Sequence, residues 1–128
     1  MQGEVVTVAA TGRRVLIVDD NVDAAEMLAF ALGDLGHDVQ VAHDGAQAIE
    51  TARAFKPDVA FVDLGLPVLD GLEVAARLRA DPEFRDTRLV ALTGFSQEED
   101  RRRTRDAGFD FHLVKPVDLE RLAELAAE

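Results

Sequence analysis

Asp63 follows the apolar run Val59-Ala60-Phe61-Val62 and precedes the turn-forming Leu64-Gly65-Leu66-Pro67. Such a run, bounded by Pro57-Asp58 before it and by Gly65 and Pro67 after it, predicts a strand buried on both faces of a parallel sheet. Asp63 then stands at the carboxyl end of that strand, where open α/β sheets assemble their sites. Two further runs end alike: Val15-Leu16-Ile17-Val18 leads into Asp19-Asp20-Asn21, and Phe111-His112-Leu113-Val114 leads into Lys115-Pro116. Three acids and a lysine thereby gather at one edge of one sheet. That set suits metal-dependent phosphoryl chemistry.

Clustered carboxylates repel one another, and one of them protonates unless a cation sits among them. Hard oxygen donors with no His or Cys beside them select Mg²⁺ or Mn²⁺ over zinc. Asp63 reads as a nucleophile, because a carboxylate in line with a phosphoryl donor forms an aspartyl phosphate when nearby cations neutralise the phosphoryl oxygens. Lys115 supplies one cation, and the hydroxyl of Thr93, at the end of Leu89-Val90-Ala91-Leu92, can bond a phosphoryl oxygen. Each residue taken singly has a plainer account. Asp19-Asp20 with Asn21 serves equally as a turn and a helix cap, and Asp63 as a loop cap. Lys115 is otherwise a snorkelling side chain beside a turn proline, and Thr93 a β-former before Gly94. Those accounts predict scatter, whereas all these residues fall at the same end of different strands.

The elements that must position them alternate five times along the chain. Strands are predicted near Arg14–Val18, Asp38–Ala42, Asp58–Val62, Arg88–Leu92 and Asp110–Val114. Helices are predicted near Val22–Leu35, Gly45–Phe55, Gly71–Arg79, Gln97–Ala107 and Leu119–Ala127. Asp44, Asp70 and Ser96 each precede an acid or amide three residues on, a helix-start signature. Gly36 and Gly108 fall where helices end in left-handed residues. Leu28, Leu32 and Leu35, then Leu119, Leu122 and Leu125, supply core-facing stripes. This alternation implies right-handed βαβ crossovers with helices on both faces of the sheet. Residues 1–12 read as a linker or loosely held tail, residues 13–128 as one domain, with no output domain following.

Composition bounds the function. The chain has 128 residues, 48% hydrophobic, enough for one core. With 25 Asp+Glu against 14 Lys+Arg its formal net charge is -11, which argues against a nucleic-acid partner. There are no cysteines, so disulfide and thiolate chemistry are excluded. No apolar stretch approaches the roughly 18 residues of a membrane helix, and Met1-Gln2-Gly3-Glu4 lacks the charged start of a signal peptide. The expectation is a soluble cytoplasmic protein without membrane insertion.

The order Asp19-Asp20, Asp63, Thr93, Lys115-Pro116 in a five-unit βα chain resembles the receiver domain of two-component response regulators. The match runs from about Arg13 to the C-terminus and is more specific than any lone short motif. Asp19-Asp20-Asn21-Val22-Asp23-Ala24-Ala25 and His112-Leu113-Val114-Lys115-Pro116-Val117-Asp118 look most like receivers of hybrid sensor histidine kinases. A free-standing single-domain regulator fits as well. The resemblance implies a CheY-like, flavodoxin-like (βα)5 fold, a doubly wound five-stranded parallel sheet of order 2-1-3-4-5. It implies that Asp63 accepts a phosphoryl group from a histidine kinase or phosphotransfer histidine. By the same resemblance Asp20 binds Mg²⁺ directly, Asp19 helps through water, and Asp63 and the Gly65 carbonyl complete the protein's share. Thr93, the Gly94 amide and Lys115 would hold phosphoryl oxygens, and Lys115-Pro116 would be a cis peptide.

Phosphorylation is then expected to draw Thr93 inward and to let an aromatic side chain on the last strand follow. The matching position here is His112, smaller than the family's Tyr or Phe. A plain half-buried strand residue is the competing account of it. Phe111 points to the opposite face by strand alternation and cannot substitute. Gly65 and Phe95 carry no acid or amide to orient an attacking water, which suggests slow self-dephosphorylation.

The segment Glu98-Glu99-Asp100-Arg101-Arg102-Arg103-Thr104-Arg105 makes a highly charged fourth helix, stabilised by pairs four residues apart. In resembling receivers the face of the fourth helix, fifth strand and fifth helix is a dimer or output surface, so a homodimer is one expected partner. Two other classes stay open. A haloacid-dehalogenase-like phosphatase needs a second Asp two residues after the nucleophile, and that position is Gly65. A constitutive interaction module of the same fold would not need to keep the acids, Thr93 and Lys115.

Overall fold

The computed structural model describes residues 12–66, 68–94 and 98–127. Five strands form, β1 (Arg14–Val18), β2 (Asp38–Ala42), β3 (Val59–Asp63), β4 (Arg88–Thr93) and β5 (Phe111–Val114). The helices between and after them are α1 (Val22–Asp34), α2 (Gly45–Phe55), α3 (Gly71–Arg79), α4 (Glu98–Ala107) and α5 (Leu119–Ala127). The strands are parallel and ordered β2-β1-β3-β4-β5, the expected doubly wound sheet.

The apolar runs are continuous because helices cover both faces of the sheet. Every residue of β3 is buried, as are the last four of β1 and the last five of β4. Alternation along each strand divides these residues between two cores. Leu16, Val18, Ala60, Val62, Leu89 and Ala91 meet Ala48, Ile49 and Ala52 of α2 and Val74, Ala75 and Leu78 of α3. Val15, Ile17, Val59, Phe61, Val90 and Leu92 meet Ala25 and Leu32 of α1 and Leu122, Leu125 and Ala126 of α5.

Two predicted core positions differ. Leu35 is 53% exposed and Leu119 50% exposed. Helix α1 stops at Asp34, so helical spacing no longer carries Leu35 back to the sheet. Leu119 opens α5, before that helix has turned onto the sheet. Ala25 and Ala126 take buried places instead, small side chains where the helices run close to the strands.

The helix starts follow the local chemistry. Asn21, Asp44 and Asp70 accept the amides of Ala24, Gln47 and Glu73 at 3.1, 2.8 and 3.0 Å. The expected cap at Ser96, the start of the fourth helix at Gln97 and the role given to Phe95 lie outside the described residues, as do residues 1–11 of the expected tail. Gly36 and Gly108 adopt φ of 99° and 112°. Gly71 answers a different need, since a Cβ there would lie 2.7 Å from the Asp63 carbonyl oxygen and 2.8 Å from Leu64 Cα. Helix α3 therefore begins directly against the backbone that presents Asp63, and the Gly71 amide donates to the Leu64 carbonyl at 3.1 Å.

Candidate functional site

Each site residue stands where its strand runs out of partners. Parallel register places Val18 beside Val62, Asp63 beside Leu92 and Thr93 beside Val114. The residues at or just beyond these pairs, Asp19, Asp63, Thr93 and Lys115, therefore share one end of the sheet. Asp19 is 2% and Thr93 3% exposed, while Asp20 lies open to solvent.

The carboxylates are held by backbone amides. Asp19 Oδ1 accepts the Asn21 amide at 3.0 Å, and Asp63 Oδ1 accepts the Gly65 amide at 3.1 Å. His43 Nδ1 lies 3.0 Å from the Asp19 carbonyl, bracing the β1 end from the β2 side. Lys115 Nζ donates to Asp63 Oδ2 at 3.1 Å and lies 3.7 Å from Asp19 Oδ2. Its own amide donates to the Thr93 carbonyl at 2.7 Å, so β4 fixes the lysine's backbone while β3 fixes its charge. The Lys115-Pro116 peptide is cis, as the resemblance implies.

The electrostatics follow from this crowding. Burial, above all, raises the Asp19 carboxyl above its ordinary value, with the Asp63 charge adding to it. The Asn21 amide and the Lys115 ammonium act against that rise. Burial alone would depress Lys115, but the hydrogen bond and charge of Asp63 and the charge of Asp19 outweigh it and leave the ammonium favoured. One carboxylate oxygen from each of Asp19, Asp20 and Asp63 lies within 4.8 Å of the others. Three carboxylates against one ammonium leave the cluster negative. Its oxygen-only donor set fits a hard divalent cation.

A cleft of about 290 Å³ opens above Asp63, lined by Gly65, Thr93 and Gly94. Asp100, Arg103 and Thr104 of α4 line it as well. Sequence reasoning did not place these three at the site. The available signal was their spacing, which puts them on one face of a helix, but spacing does not say where that face points.

His112 does not line this cleft. Its Nδ1 lies 3.3 Å from Thr104 Oγ1, and that hydroxyl donates its proton to the Arg101 carbonyl at 2.8 Å. His112 thus meets α4, whose Thr104 lines the cleft. Phe111 turns to the opposite face, as alternation predicts, with the guanidinium carbons of Arg88 and Arg121 at 5.2 and 5.8 Å from its ring centre.

The family model of the response regulator receiver domain matches residues 15–127, and the chain belongs to that family. It is 37% identical over 109 residues to the DNA-binding dual master transcriptional regulator RpaA of Synechocystis, covering 85% of this chain but 45% of RpaA. Among solved structures it is similar to the chemotaxis response regulator CheY4 of Vibrio cholerae, with a TM-score of 0.84 at 30% identity over 89% of this chain and 95% of that one. The receiver domain of the sensor histidine kinase PA1611 of Pseudomonas aeruginosa gives 0.81 at 31% identity, over 90% and 94%. That structure carries a magnesium ion coordinated in its active-site cleft. The chain is thus a receiver domain of two-component signalling, a class that works with histidine kinases or phosphotransfer proteins. Among the described residues no helix is long and apolar enough to cross a membrane.

Proposed function

We propose that Asp63 accepts a phosphoryl group from the phosphohistidine of a histidine kinase or phosphotransfer protein, and that the domain relays this as a change of surface. The observation that carries the proposal is the setting of Asp63. One oxygen is held by the Gly65 amide, the other by Lys115, at the base of a cleft that Thr93 and Gly94 also line. A carboxylate oxygen of Asp63 forms a bond to phosphorus as the donor's P–N bond breaks. The electron pair of that bond leaves on the imidazole nitrogen.

Asp19, Asp20 and Asp63, with the Gly65 carbonyl, would hold Mg²⁺, or Mn²⁺ in its place. The bound ion supplies positive charge to the phosphoryl oxygens and relieves the repulsion among the acids. Lys115 neutralises a further oxygen, while the Thr93 hydroxyl and the Gly94 amide hold others. No side chain at Gly65 serves as a general acid, so the domain catalyses only its own phosphorylation and dephosphorylation.

The functional unit is residues 13–128, with residues 1–12 as linker, whether as a single-domain regulator or as the receiver of a hybrid kinase. Thr93 and His112 form the switch, and the face of α4, β5 and α5 is the surface it changes, including toward a second copy. Moving such an equilibrium from mostly off to mostly on takes roughly 5.5 kcal/mol of differential stabilisation.

The test is intact mass after incubation with Mg²⁺ and a small phosphodonor, for wild type and Asp63→Asn. The wild type alone is expected to gain one acid-labile phosphoryl group. Equal gain by both removes Asp63 as acceptor. No gain and no Mg²⁺ binding would leave the fold as a constitutive interaction module.

A further inference from the structure

We infer that Arg103 of α4 is a second phosphoryl-binding cation, which ties the position of α4 directly to the state of Asp63. The inference rests on the phosphoacceptor reading of Asp63 and adds a residue to it. Arg103 lines the same cleft as Asp63, Gly65, Thr93 and Gly94. Its neighbours in sequence do not: Arg102 is absent from this cleft's lining, and Arg101 and Arg105 border a separate hollow beside Phe111 and His112. Among the described residues the Arg103 side chain makes no ion pair or hydrogen bond, although Asp100, one turn earlier, borders the same cleft. It is a cation at the lining of the phosphoacceptor cleft with no side-chain ion pair among the described residues.

Charge gives it a role. In the unphosphorylated domain Lys115 is shared between Asp63 and Asp19, so the one lysine already serves two carboxylates. A phosphoryl group brings a charge of roughly -1.5 to -2. The cleft that would receive its oxygens is lined by Gly65, which offers no side chain, and by Asp100, Arg103 and Thr104 of α4. A guanidinium presents a planar fork that matches phosphate oxygens in pairs. Arg103 is the cation placed there.

The consequence is a conformational link. A ligand shifts an equilibrium only by its differential contacts with the two states. Arg103 gives α4 a contact that exists when Asp63 is phosphorylated and is absent otherwise. His112, which replaces the usual aromatic residue, is anchored to the same helix through Thr104. Arg103 and His112 thus both act on α4, one from the cleft and one from β5.

The test uses the full chain with Mg²⁺ and fluoroberyllate, a stable phosphoryl mimic on carboxylates, titrated by calorimetry. Arg103→Ala, Arg103→Lys and Arg102→Ala are compared with wild type. Arg102→Ala removes the same charge one residue away, outside the cleft. Arg103→Ala is expected to weaken fluoroberyllate binding roughly threefold to tenfold, as for a partly exposed charge-assisted contact, with Arg103→Lys in between and Arg102→Ala close to wild type. Amide resonances of residues 98–105 should shift on binding in wild type and much less in Arg103→Ala. Equal affinities for Arg103→Ala and Arg102→Ala, with α4 shifting in both, overturn the inference and leave phosphorylation of Asp63 standing. Failure of the wild type to bind fluoroberyllate and to take phosphoryl overturns both.

Discussion

Asp19 shows how a residue proposed to serve a metal strains the fold that carries it. It is buried among carboxylates, and its pKa is raised, mainly by burial. The folded, metal-free domain therefore prefers Asp19 protonated, more than the unfolded chain does. Stability from that preference is present below the unfolded value of 3.8 and is lost as pH rises through the higher folded value. At neutral pH the ionised side chain thus works against folding. Asp19→Asn is expected to raise the thermal midpoint of the metal-free domain at pH 7, with the advantage shrinking as pH falls toward the acid range. Adding Mg²⁺ should narrow the gap, because the ion stabilises the wild-type cluster more than the neutralised one. Circular-dichroism melts with EDTA and with Mg²⁺ across pH read both effects, and a variant no more stable than wild type in EDTA would contradict the first.

At the scale of elements, the fold was legible because its strands are continuous apolar runs and its helices start at Asn21, Asp44 and Asp70, side chains that cap visibly in sequence. The same strand ends gave Asp19, Asp63, Thr93 and Lys115, since parallel topology alone sets them side by side. What was not legible depends on contacts between elements. Arg79, last in α3, donates to the carbonyls of Phe84, Thr87 and Gly108 at 2.8, 2.9 and 2.9 Å and to Asp110 Oδ2 at 2.7 Å. Asp110 Oδ2 also accepts the Leu89 amide, so one arginine gathers the end of α3, the Pro82–Phe84 turn, the entry of β4 and the turn before β5. Four of its partners, the Arg85 carbonyl at 3.5 Å included, are backbone oxygens, which leave no signature in side-chain pattern. Lysine has no planar fork to replace these bonds. Arg79→Lys should therefore lower unfolding free energy by roughly 2–4 kcal/mol in urea titrations. A change under about 0.5 kcal/mol would place it with ordinary surface substitutions.

The whole molecule carries a formal net charge of -11, which by itself keeps copies apart. That charge is unevenly spread. Exposed acids Asp23, Glu26 and Asp34 lie on α1, while α4 exposes Arg101, Arg102, Arg103 and Arg105. The exposed acids Asp118 and Glu120 stand just before α5 and in its first turn, and α5 also exposes Arg121. A two-fold contact pairs unlike residues of one surface, so α4 of one copy can meet the α5 acids of the other without net repulsion. Fluoroberyllate-bound protein is therefore expected to sediment increasingly as a dimer at low ionic strength and to dissociate as salt rises above about 0.15 M, where the screening length falls to about 8 Å. Arg101→Glu with Arg105→Glu should abolish that dimer while leaving Mg²⁺ affinity near wild type, because neither arginine lines the Asp63 cleft. A dimer that ignores salt would require an apolar contact instead, and Phe30 and Met27, 77% and 66% exposed on α1, would be the place to look. A monomer at every salt concentration would reserve the basic face for a different, acidic partner.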